Sequence, residues 1–183
     1  RSHCPLVYYH VWDNYPYPTF NATHYESNDV VATISKLTDD IVRTVSPSVE
    51  CIHVPHAVDN NIFKAQSDED RKNFREKFFN GADEEKVIFF WNNRNARRKQ
   101  SGTLIFWFKE FLDMVGHDKA SLLMHTEVKD EHGQDLEAII HNLGITKGQV
   151  RFSTHKVPPE QLAMIYGAAD CTINISDAEG FGL

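Results

Sequence analysis

The chain has 183 residues, 41% of them hydrophobic and 25% charged, which excludes disordered, collagen-like and low-complexity classes. Nineteen Lys and Arg against twenty-six Asp and Glu leave a net charge of −7, so no global field draws in nucleic acid or an anionic membrane. No run reaches the ~18 apolar residues of a membrane span and no signal-peptide pattern is visible, so a cytoplasmic location is expected.

Residues 6–11 read as a buried strand, followed at 13–18 by a loop whose prolines, Pro16 and Pro18, forbid regular structure. Residues 30–34 form a second strand, and Ser35 is a natural N-cap for a helix over 36–43. A third strand at 49–54 is stopped by Pro55. From 60 to 85 the chain turns polar, with one amphipathic helix over 67–79 that puts Phe74, Phe78 and Phe79 on one side. A domain boundary is expected there, giving domains 1–66 and 67–183. The second part continues as strand 86–91, helix 102–115, strand 121–125, helix 134–143, strand 150–153, helix 159–168 and strand 171–176. Strands separated by helices predict α/β domains with parallel sheets and helices on both faces. Ligands of such sheets sit beyond the C-terminal strand ends, which selects the loops after Trp91, His125, Ser153 and Ser176.

The chain has no initiator Met and its first residues lead straight into a strand, so it reads as an interior piece of a longer protein. Cys4, Cys51 and Cys171 are far apart and odd in number, which argues for a reducing compartment and for small core residues at 51 and 171. The ten histidines match no metal template and are expected to be scattered on the surface; no metal is expected. Asn21-Ala22-Thr23 fits a glycosylation sequon, but nothing else in the sequence points to secretion. Phe106, Trp107, Phe108 and Phe111 share one helix and are expected in the core.

Two loops carry the chemistry. After Trp91, the loop holds Arg94, Arg97, Arg98 and Lys99 within six residues of a net-acidic chain. It is either a solvated basic loop or an anion site, in which a guanidinium fork and an ammonium point charge suit a diphosphate. After Ser176 comes Asp177-Ala178-Glu179-Gly180-Phe181-Gly182-Leu183. Its glycines let the backbone approach a ligand, and a helix starting there would aim N–H groups at an anion. Glu179 is a good acceptor for sugar hydroxyls.

Taken together, these stretches resemble retaining glycosyltransferases of family 4. Arg94 with Lys99 is similar to that family's donor-phosphate element, and Glu179-Gly180-Phe181-Gly182-Leu183 resembles the opening of its Glu-x-Glu motif. Val54-Pro55-His56-Ala57-Val58-Asp59…Phe63 resembles its "Pro-Asn-Gly-Val-Asp…Phe" crossover, with His56 and Ala57 in place of Asn and Gly. Asp29-Val30-Val31-Ala32-Thr33-Ile34-Ser35 and Leu162…Tyr166…Ala169-Asp170 are similar to two further family segments. The resemblance covers nearly the whole chain, in order.

It implies a GT-B-type α/β fold of two Rossmann-like parallel-sheet domains, both incomplete here: 1–66 from the acceptor-side domain, 67–183 from the nucleotide-sugar-binding domain. By the same resemblance Arg94 and Lys99 neutralise the donor diphosphate, Glu179 contacts the donor sugar, and the amides of Gly180, Phe181 and Gly182, with Leu183 closing the stretch, meet sugar hydroxyls or phosphate. Phe152 lies where relatives hold the nucleobase, unless it is core. His10 and Asp13 are candidates for the acceptor side; the alternatives are a strand-end residue bonded to backbone and a turn cap. Asp130 or Gln134 either reaches acceptor hydroxyls or caps the following helix. Gln100 departs from the family, which has glycine there, and Arg97 and Arg98 add charge that is either an extra contact to phosphate or an anionic acceptor, or surface charge.

The implied activity is retaining transfer of a hexose from a nucleoside-diphosphate sugar to a glycan or glycosylated acceptor, with no cofactor or metal and no nucleic-acid partner. Peripheral membrane association of the full-length protein is a further expectation. The alternatives are a same-fold epimerase or phosphorylase, or a non-catalytic nucleotide-sugar-binding domain.

Overall fold

The computed structural model describes residues 4–12, 14–79 and 85–179. They form two compact units: the chain up to Val58 together with Ala178 and Glu179, and Asp59–Asp177. The division lies between Val58 and Asp59, ahead of the 66/67 boundary suggested by the change in polarity. The reason is that polarity follows solvent exposure rather than domain membership. Gln66 already donates to the Ala163 carbonyl at 3.0 Å, and Phe63 meets Tyr166 edge-on, so the polar stretch is built into the second unit.

The first unit holds β1 (Val7–His10), β2 (Val30–Thr33) and β3 (Cys51–His53) in one parallel sheet of that order. Between β2 and β3 runs α2 (Lys36–Val45), which follows the short α1 (Ala22–Glu26) in the chain. Ser35 starts α2 as expected: its hydroxyl accepts the Thr38 amide at 3.1 Å. Tyr25, Val31, Val42 and Cys51 pack as its core. The strand β1, expected to be buried, is so only at His10: Val7 is 62% exposed. Among the described residues the strand pairs with β2 alone, and an apolar run does not tell an edge strand from a central one.

The second unit holds β4 (Val87–Asn92), β5 (Ala120–His125), β6 (Val150–Ser153) and β7 (Cys171–Thr172), all parallel, in the order β6-β5-β4-β7. Its helices are α3 (Asp68–Phe79), α4 (Ser101–Val115), α5 (Leu136–Asn142) and α6 (Pro159–Ala168). The chain enters at β4, steps outward through β5 and β6, then returns to the other side of β4 as β7. Right-handed crossovers make that reversal place α4 and α5 on one face and α6 on the other. Side chains of β4 alternate accordingly. Trp91 and Phe89 join the cluster of Leu104, Ile105 and Leu112, while Ile88 and Phe90 join Phe79 and Ile165. Asp170 locks this second face: it accepts from Arg71, from Arg75 and from the Ile88 amide. Burial alone would raise its carboxyl, but the Ile88 N–H and the guanidiniums hold it below the usual range.

Three expectations are corrected here. The last strand runs only over Cys171–Thr172, not 171–176, and Cys171 is exposed at this sheet edge rather than in the core. Phe106 and Trp107 stand on the solvent side of α4, whereas Phe108 is buried, as a 3.6-residue period requires of neighbours in sequence.

Candidate functional site

The sheet of the second unit reverses its winding between β4 and β7, and sheets of this kind take their ligands beyond the C-terminal strand ends at such a point. The loops leaving these two strands meet there. The Asp177 amide donates to the Arg98 carbonyl at 2.8 Å, and Gln100 Nε2 donates to Asp177 Oδ2 at 2.7 Å. The basic loop is thereby tied to the segment that leads into Glu179.

Gln100 makes this join with a left-handed backbone, φ 56 and ψ 33, which suits glycine. It is the position at which the resembled family carries one. The conformation turns the chain from a 3-10 turn at Arg97–Lys99 into α4. Gln100 offsets the strain with its side chain, whose Oε1 also accepts from Thr103 at 2.9 Å.

Beyond the ends of β4, β5 and β6 lies an open cavity of about 340 Å³, bordered by Asn92, Arg94, His125, Thr126, Asp130, Ser153 and Lys156 among others. Asn92 is held by the Tyr166 hydroxyl at 3.0 Å. His125 Nδ1 faces Ser153 Oγ at 2.9 Å, and burial lowers its pKa. Thr126 is buried, and its hydroxyl has no protein partner among the described residues. A buried polar atom at a cavity wall is a place for a ligand or water to bond.

Arg94 is 61% exposed and pairs with Asp130, of which 6% is exposed. Nε donates at 2.8 Å and Nη2 at 3.2 Å. The arginine, then the His132 amide, hold the Asp130 carboxyl below the usual range. The helix-cap reading of Asp130 and Gln134 does not hold, while Asp130 borders the cavity. Asp135, not either of them, caps α5, accepting the Ala138 amide at 3.0 Å. Gln134 instead accepts the Gly102 amide with Oε1 at 2.8 Å, at the start of α4. Asn95, buried, organises the whole corner. It donates to the Gln134 carbonyl at 2.7 Å and accepts from Ser101 at 2.8 Å. A Cβ at Gly133 would overlap the Asn95 carbonyl, and one at Gly102 the Gln134 amide.

The other expected residues are distributed as follows. Lys99 is buried within its turn. Phe152 packs partly buried against the α4–α5 core, which favours its structural reading. His10 ends β1 in the first unit and is 3% exposed. Its Nε2 lies 2.7 Å from the Tyr25 hydroxyl and its Nδ1 3.2 Å from that of Tyr8, so it departs from both the surface and the backbone-bonded expectation. Glu179 groups with the first unit. Asp13, Gly180, Phe181, Gly182 and Leu183 lie outside the described residues. Among the described residues, no group of three or more His, Cys, Asp or Glu could hold a metal ion, and no helix is long and apolar enough to cross a membrane.

Sequence reasoning missed the Arg94–Asp130 pair and the Asn95 corner. The Asp130-x-His132 spacing was the one local sign, since an aspartate two residues before an amide makes an Asx turn.

No protein-family model and no curated protein matches the sequence. Solved structures do. The α,α-trehalose 6-phosphate synthase of Burkholderia multivorans superposes with TM-score 0.76 at 11% identity, over 98% of this chain and 47% of that one. HepE of Anabaena, in complex with UDP and glucose, gives TM-score 0.71 at 15% identity, over 96% and 47%. TarM gives 0.63 at 12%, over 91% and 28%. The chain thus spans about half the length of the first two structures and less of the third. Its fold is theirs: two Rossmann-like parallel-sheet domains of GT-B type, represented here in part.

Proposed function

We propose that the chain is part of a retaining glycosyltransferase that moves a hexose from a nucleoside-diphosphate sugar to a glycan or glycosylated acceptor, with the donor held on the second unit. The observation that carries this reading is the junction of the two loops: the segment leading to Glu179 is bonded to the basic loop through Asp177, Arg98 and Gln100. Asp177 and the basic loop both belong to the second unit, so this bonding fixes the course of the chain beside the cations that a donor diphosphate needs. The open cavity with its unpartnered Thr126 hydroxyl supports it by offering room and a polar wall. The likeness to HepE, a structure with UDP and glucose bound, points the same way.

Arg94 supplies the charge that a leaving diphosphate needs as the glycosidic bond breaks, so its contact strengthens toward the transition state. Lys99 keeps the role of second cation that the resemblance gives it, from a buried position. Retention of configuration and the glycan acceptor rest on the resemblance.

The test is calorimetry of the full-length protein with UDP, GDP and ADP, followed by turnover with the matching sugars. Arg94→Ala is expected to weaken diphosphate binding about ten- to a hundredfold; unchanged affinity removes the phosphate assignment. Glu179→Ala is expected to lower turnover more than nucleotide affinity, and the reverse order speaks against a sugar-side role. Nucleotide binding without any transfer would favour a binding domain instead.

A further inference from the structure

We infer that Asp130 is a positioning residue for the donor: it grips the Arg94 guanidinium side-on and so presents the opposite N–H edge to a phosphate. This rests on the donor reading above. The pair is unequal, an exposed arginine on a carboxylate almost wholly withdrawn from water. Asp130 uses Nε and Nη2, the side-on edge of a planar fork. No acceptor among the described residues takes Nη1. The carboxylate is itself fixed, because its Oδ1 also accepts the His132 amide at 2.8 Å, while its main-chain carbonyl accepts from Gly133 at 3.0 Å. That turn is held against residue 95, the neighbour of the arginine: Gly133 touches the Asn95 main chain and the Gln134 amide donates to Asn95 Oδ1 at 3.2 Å. The backbone bearing the guanidinium and the turn bearing its counter-charge therefore form one rigid corner.

A carboxylate in this position could act in two ways, with opposite signs. As a competitor it would occupy the arginine until phosphate displaced it, and removing its charge would tighten binding. The geometry points to the other. The end-on edge is left open, and displacement would strand a poorly hydrated carboxylate without its charge partner. An arriving anion joins the pair rather than replacing it. A long side chain already restrained also loses less rotamer freedom on binding.

The experiment is a double-mutant cycle in the full-length protein, with UDP titrated into wild type, Asp130→Asn, Arg94→Ala and the double variant at one ionic strength. Asparagine keeps an oxygen for the His132 amide and removes the charge facing the guanidinium. Asp130→Asn is expected to weaken UDP about five- to tenfold, to leave uridine binding unchanged, and to add nothing once Arg94 is alanine. UDP affinity at or above wild type in Asp130→Asn, beside a weakened Arg94→Ala, overturns positioning and leaves the donor reading standing. Wild-type affinity in Arg94→Ala overturns the donor reading itself. An equal loss on the Arg94→Ala background marks general damage to the corner and also overturns positioning. If Asp130→Asn does not fold, Arg94→Lys serves, since it keeps charge without a fork: intermediate affinity is expected, and full affinity overturns the inference.

Discussion

His10 and Arg94 follow the same rule of topology and end in opposite states. Each lies at or just past the C-terminal end of a parallel strand, where α/β proteins place ligands. His10 is sealed between two tyrosine hydroxyls in the first unit, whereas Arg94 stands open to solvent with a free edge in the second. The first side chain is bound into the fold of its own unit. The second is held by one partner and otherwise free to bond. A strand-end position alone does not separate a packing residue from a binding one; the count of satisfied nitrogens does.

The contrast can be broken by substitution. His10→Ala leaves a void and two tyrosine hydroxyls without their shared partner, and is expected to destabilise the fold by about 2–4 kcal/mol in chemical denaturation. Nucleotide affinity per folded molecule should not change. Arg94→Ala is expected to do the reverse, losing affinity with an unmoved denaturation midpoint. If both variants lose both properties, the distinction fails.

Proton linkage sharpens the same point. Burial, and next the nearby His24, lower the His10 pKa from its ordinary 6.5. Above 6.5 the ring is neutral in the folded and unfolded chain alike, and its contribution is fully present. As pH falls below 6.5 the unfolded chain takes up a proton that the fold resists, so stability declines until the lowered folded value is passed. His125 is shifted the same way by burial. Stability measured from pH 7.5 to 5 should therefore fall in wild type, and fall less steeply in His10→Ala.

The smallest effect is expected at Gln100. Gln100→Ala keeps the left-handed backbone and loses the bonds to Asp177 and Thr103, a cost of about 1–2 kcal/mol. Gln100→Gly loses the same bonds but relieves about 1 kcal/mol of strain, so its midpoint should lie close to wild type. Equal loss in both would mean that the backbone there is not strained.

The helices were legible where short-range chemistry sets them. Ser35 caps α2 as read, and α6 runs over Pro159–Ala168 as read, because a proline opens it and the apolar period continues to Ala168. Parallel pairing was legible from the helix between each pair of strands. Edge position was not, since Val7 and Cys171 sit in runs as apolar as those of β4, and only strand order exposes them. Of the site, Arg94 was legible as one charge in a cluster, but its partner lies 36 residues away. Asn95 looked like an ordinary loop residue; its role comes from three bonds to the 128–134 segment that folding brings to it and a fourth from Ser101. Gln100 was visible as a departure from the resembled glycine, but its compensation through Asp177 required coordinates.

Gly133 has no room for even a methyl group where it touches the Asn95 main chain, and Gly102 lies against the Gln134 side-chain amide. The turn after β5 and the loop after β4 are consequently interlocked pieces. Anyone swapping segments among proteins of this fold would have to transplant both together, because a graft of either alone would meet an ill-fitting counterpart.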